Sequence, residues 1–86
     1  MEIKKKIWPE YFEKILSEDK KFELRLADFD INEGDTLVLE EYDPKTKKYT
    51  GRTIKKKARQ IIKINPTKMY SLEQINKFGL YVITLE

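Results

Sequence analysis

Lys20-Lys21-Phe22-Glu23-Leu24-Arg25-Leu26, followed by Asn32-Glu33-Gly34-Asp35-Thr36-Leu37-Val38-Leu39, is the stretch on which the fold of this 86-residue chain turns. From Lys21 to Leu26 polar and apolar residues alternate, the period of a half-buried strand. Phe22, Leu24 and Leu26 are therefore expected to face a core. Lys21, Glu23 and Arg25 are expected on the opposite side, with Lys20 at the mouth of the strand. A charged face of this kind either lines a polar ligand site or is solvated strand surface.

On the carboxyl-terminal side, Ala27 to Asp35 reads as an acidic loop closed by Gly34-Asp35. A second strand follows from Thr36 to Tyr42, with Leu37 and Leu39 on one face and Val38 and Glu40 on the other. Asp43-Pro44-Lys45-Thr46-Lys47-Lys48 carries turn chemistry, since proline presets the backbone and aspartate caps it. Tyr49 to Ile64 is expected to return as a long strand or a pair of strands, with Gly51 at a bulge. Asn65-Pro66 breaks it. Ser71 and Gln74 form a capping-box pattern that predicts a helix over Leu72 to Lys77, stopped by Gly79. Leu80 to Leu85 is apolar and is expected to close the chain as a strand near the centre of the sheet.

On the amino-terminal side, Met1 to Ile7 reads as an extended lead-in or an edge strand. Pro9 suits a first helical turn, and Trp8, Tyr11, Phe12, Ile15 and Leu16 recur at helical spacing, which predicts a helix over Pro9 to Leu16. These elements make one α+β domain over residues 1–86, a small curved sheet or β-barrel flanked by two short helices.

Composition excludes several function classes. The chain has no cysteine and no histidine. Disulfides, thiol nucleophiles and zinc-thiolate sites are thereby removed, together with the commonest general base and metal ligand. No metal and no cofactor are expected. Any catalysis must run on Lys, Glu, Asp, Tyr, Thr or Ser. A hydrophobic content of 40% is too rich for a disordered chain, and no apolar run is long enough to span a membrane. Met1 to Lys6 is not an apolar secretory segment, so a soluble cytoplasmic protein is expected. The abundance of Lys, Glu and Ile without cysteine also fits a thermophile's surface.

The net charge is +3, and the cations fall in clusters: Lys4 to Lys6, Lys20 with Lys21, Lys47 with Lys48, and Lys55 to Lys57 with Arg59. Each cluster alone reads as solvated surface or edge-strand protection. Their convergence in space would instead mark an anionic partner. Lys55 and Lys57 share one face with Thr53 and Arg59 on alternation, and Lys56 shares the other with Ile54 and Ala58. Asp28, Asp30, Glu33 and Asp35 lack the spacing of a calcium loop and read as a capped, solvated turn.

Five blocks occur in order: Lys6-Ile7-Trp8-Pro9-Glu10-Tyr11-Phe12-Glu13, Lys20-Lys21-Phe22-Glu23-Leu24-Arg25, Gly34-Asp35-Thr36-Leu37, Glu41-Tyr42-Asp43-Pro44 and Tyr49-Thr50-Gly51-Arg52. Together they resemble the ASCH domain family, and within it a small single-domain group of unknown function related to the PUA fold. The family motif GxKxxExR places its Lys, Glu and Arg on Lys20, Glu23 and Arg25, with Glu18 where the glycine stands. Ile3 and Ala27 occupy positions where relatives often carry histidine and asparagine.

The resemblance implies a PUA-like barrel with a cleft into which the motif projects, and RNA or a modified nucleotide as ligand. The residue chemistry is compatible with that ligand. Arg25 offers a forked donor, Glu23 can orient Lys20 or Arg25, Lys6 extends a basic rim, and Trp8 is a stacking ring. The expected ligand-binding set is Lys6, Trp8, Lys20, Glu23 and Arg25. For Trp8 a packing role at the helix start competes with stacking.

The alternative activity is a small amidohydrolase acting on acylated nucleosides, with Lys20 and Glu23 as the reacting pair. Hydrolase-like relatives carry threonine where Glu23 stands, and Glu73 alone could replace their later carboxylate. The binding module is the favoured reading. A protein-interaction domain that kept the fold without the ligand is a third.

Overall fold

The computed structural model of the protein describes residues 1–83 and Leu85. Strand β1 (Glu2–Ile7) places Ile3, Lys5 and Ile7 on one face, in keeping with its two-residue period. Trp8 then takes the N-cap position of helix α1 (Pro9–Leu16), and Pro9 opens the first turn without wasting a hydrogen bond. Phe12 and Ile15, three residues apart, are the buried residues of that helix.

Strand β2 (Thr36–Asp43) runs parallel to β1, and β3 (Lys48–Lys57) returns antiparallel, giving a sheet of order β1-β2-β3. Central β2 is the hub against which β1, β3 and α1 pack. Ile7, Phe12, Ile15 and Leu39 form the buried core, with Leu37 and Ile54 packed against it. Among the described residues the domain is α+β with three strands in an open, mixed sheet and two helices, so of the two expected forms, a small curved sheet or a β-barrel, the barrel is not formed.

Three further expectations are corrected. Lys21 to Leu26 is not a strand, for reasons given with the site below. The strand after Tyr49 ends at Lys57 and does not reach Ile64, because its partner β2 begins at Thr36. One further pair of bonds, Gly34 N–H to the Ala58 carbonyl and Ala58 N–H to the Asp35 carbonyl, closes the ladder where the Asn32–Asp35 turn bends away. Residues 80–83 are also outside any strand, and Thr84 of the expected Leu80 to Leu85 strand lies outside the described residues.

The second helix is α2 (Leu72–Phe78), with both halves of the Ser71–Gln74 capping box in place and Gly79 ending it at φ 71°. It buries none of its residues. A single 3-10 turn, Pro66–Lys68, precedes it. Among the described residues no helix is long and apolar enough to cross a membrane.

Candidate functional site

The Lys20 to Leu26 segment keeps its alternation and reverses its facing. Side chains of Lys20, Glu23 and Arg25 are only 15%, 16% and 28% exposed, whereas Leu24 and Leu26 are 68% and 81% exposed. Charges can turn inward when each is paired and hydrogen-bonded. Here Lys20 Nζ donates to Glu23 Oε1 at 2.6 Å and Arg25 Nε to Glu23 Oε2 at 2.9 Å. Arg25 Nη2 then donates to the Lys6 main-chain carbonyl at 2.6 Å, which ties the segment to edge strand β1 through a side chain instead of a ladder. Alternation is a property of extended backbone. Pairing, which would make it a strand, is a separate matter.

The triad lines an open cavity of about 1000 Å³ over the α1 side of the sheet, with Leu37 and Leu39 among its apolar lining. Lys20, Lys21 and Arg25 come from one stretch of its wall, and Lys56, Lys57, Arg59 and Lys63 from another. Against these seven cations stand three carboxylates, Glu18, Glu23 and Asp30. The surplus of four exceeds the +3 of the whole chain, so cation clusters distant in sequence converge on one concave surface. A low-dielectric wall of one sign concentrates anions at its mouth.

The remaining expected site residues fall at the margin or elsewhere. Lys20 Nζ lies 5.9 Å from the Tyr11 ring centroid, and Tyr11 stacks on Trp8 at 6.3 Å with 26° between planes. Trp8 is thus linked to the triad through Tyr11, both rings being exposed. Lys6 contributes its carbonyl to Arg25, while its ammonium lies 4.4 Å from the Tyr42 ring. Lys6 therefore supplies a main-chain anchor to the triad, and its charge lies over Tyr42.

A second polar cluster received no role from the sequence. Glu41 is buried, sharing the core face of β2 with Leu37 and Leu39. Opposite it, the ladder slips between Glu40 and Tyr42, with Gly51 at φ 92°. This bulge lets both Thr50 and Arg52 reach one carboxylate. Thr50 Oγ1 and Arg52 Nε donate to Glu41 Oε1, and Arg52 Nη2 donates to Oε2 at 2.8 Å.

Arg52 also pairs with Glu13 of α1 and lies 4.7 Å from the Phe12 ring. The bonds from Arg52, then Thr50, hold the Glu41 carboxyl below the usual range, and the two carboxylates push Arg52 upward. The cluster clamps α1 to the sheet. Its signal in the sequence was Glu41 itself, a carboxylate in register with the apolar face of β2.

In the acidic loop, Asp35 accepts from Asn32 N–H at 2.9 Å and meets the amino-terminal ammonium at 3.4 Å. Glu33 accepts from Ile61 N–H at 3.3 Å. These carboxylates serve the turn, and among the described residues no group of His, Cys, Asp or Glu is arranged to hold a metal ion.

Residues 3–76 match the model of a family described as a domain of unknown function (DUF3850). Neither a curated protein nor a solved structure matches the chain.

Proposed function

The chain belongs to the DUF3850 family, and on that premise we propose that it is an RNA- or modified-nucleotide-binding module, related to ASCH and PUA-like domains, that takes its ligand in the basic cavity. The observation that carries this reading is the convergence of seven cations on one cavity, Lys20 and Arg25 of the inward-turned triad among them. Glu23 fixes the two cations in place. Arg25 Nη1 makes no hydrogen bond among the described residues and remains to engage a phosphate or base edge. The apolar lining suits the planar part of a nucleotide, and the Tyr11–Trp8 pair beyond Lys20 offers stacking surface.

The amidohydrolase reading finds less support. Lys20 and Glu23, the pair that would have to react, are instead bonded to each other at 2.6 Å, and Glu23 also holds Arg25, an arrangement that suits binding better than proton transfer.

Titration of isotope-labelled protein with uridine monophosphate, an N-acylated nucleoside and short RNAs, at two salt concentrations, tests the proposal. Shifts are expected at Lys20, Glu23 and Arg25, and Arg25→Ala is expected to weaken binding by at least tenfold, the loss of about one charge-assisted pair. Binding indifferent to Arg25→Ala and Lys20→Ala would remove the cavity as the site. Release of the acyl group during the titration would make the protein an enzyme.

A further inference from the structure

The sheet has a second face, turned away from α1. Its cross-strand rows are Glu2, Thr36 and Lys57, then Lys4, Val38 and Lys55, then Lys6, Glu40 and Thr53, and finally Tyr42 beside Tyr49. The core lies wholly on the other side, with α1 over Ile7 and Leu39. Val38 is buried even so, with Lys4 and Lys55 as its register neighbours. Lys55 is held by Glu2 at 3.0 Å. Lys57, at the end of β3, lines the cavity, whereas Lys4 and Lys6 have no carboxylate within ion-pair distance among the described residues.

The aromatic end of this face has a definite geometry. Tyr42 and Tyr49 meet edge to face at 5.2 Å, and the Lys6 ammonium stands 4.4 Å from Tyr42 and 5.6 Å from Tyr49. Tyr49 remains half exposed. Cations that step along the strands every second residue, about 7 Å apart, ending at an exposed ring, match a ligand that repeats a negative charge and carries planar groups. An acidic peptide offers the charges without the rings. A bilayer surface would call for protruding apolar side chains, and this face has none beyond its tyrosines.

We propose that this face binds single-stranded nucleic acid, with Lys4 and Lys6 taking backbone phosphates and Tyr49 stacking a base. It goes beyond the cavity reading, since it lies across the sheet from the triad and requires a polymer where the cavity requires only a nucleotide.

Binding of a fluorescent 12-nucleotide oligouridylate, followed by anisotropy across a salt series, tests it. Two neutralised phosphates give a slope of log K against log salt of about −1.4, from roughly −0.7 per phosphate on a single strand. Lys4→Gln and Lys6→Gln are each expected to flatten that slope by about 0.7, and Tyr49→Ala to weaken binding about tenfold.

Lys4→Gln and Tyr49→Ala are expected to leave uridine monophosphate binding unchanged. Failure of the mononucleotide alone would sink the cavity reading and leave this one standing. The surface reading is overturned if the oligomer does not bind, or if it binds Lys4→Gln and Tyr49→Ala as it binds the parent. It is likewise overturned if polyglutamate of equal charge competes with the same dependence on Tyr49, which would mark an acidic protein as partner.

Discussion

Glu18 is a charged residue held at φ 64°, the left-handed region that glycine enters freely. Its N–H donates to the Ile15 carbonyl as α1 ends. The turn is thus made against the preference of the side chain. Glu18→Gly is expected to stabilise the fold by about 0.5–1 kcal/mol, the left-handed strain relieved less the added freedom of the unfolded chain, read as a rise in melting temperature.

Glu41 is the opposite case, a buried carboxylate whose partners are all supplied. Glu41→Gln is expected to cost about 2 kcal/mol, less than for a fully buried pair because Arg52 is half exposed and keeps Glu13. Its carboxyl is held below its ordinary value of 4.5, so its contribution is present above that pH and is lost as pH falls through the folded-state value. The difference in melting temperature between parent and Glu41→Gln should accordingly shrink in acid, and a constant difference from pH 7 to pH 3 would contradict the assignment.

At the scale of elements, local chemistry was enough wherever it closes on itself. Helix α1 runs from Pro9 to Leu16, as periodicity and proline placement predict. Helix α2 begins at Leu72 because Ser71 and Gln74 satisfy each other's backbone donors. With no residue of α2 buried, the cap carries an unusual share of that helix's stability. Ser71→Ala should cost about 1 kcal/mol locally, seen as roughly fivefold faster amide exchange at Ile75 and Gly79 with β2 unaffected.

The segment after α1 shows where local reading stops. Its alternation was legible, yet Leu24 and Leu26 are left exposed while the charges turn inward, because Glu23 pairs two cations and Arg25 reaches the Lys6 carbonyl nineteen residues away. The same limit explains β3, whose end is set by where β2 begins and not by its own residues. Glu41, Thr50 and Arg52 became one cluster only through the register slip at Gly51.

Across the whole molecule, packing is concentrated around β2, and residues 58–65 are joined to that body by the Ala58 ladder bonds and the Glu33–Ile61 bond. Amides of β2 and its neighbours should therefore exchange only on global unfolding, while those of residues 66–83 exchange much faster. Uniform protection across both parts, measured by hydrogen exchange, would refute this division.

The sequence by itself determined the class of element at each helix, the turn at Asp43–Lys48, the two faces of β2 and the absence of thiol and imidazole chemistry, because these depend on residue type and on periods of two or 3.6. It also marked Lys20, Glu23 and Arg25 as a set. Only the tertiary structure decided that the set turns inward, that distant lysines share its cavity, that the ammonium of Lys6 lies over Tyr42, and that the sheet stays open. Those outcomes depend on which charges find partners across tens of residues of chain, and no local period encodes a contact between segments that meet only after folding.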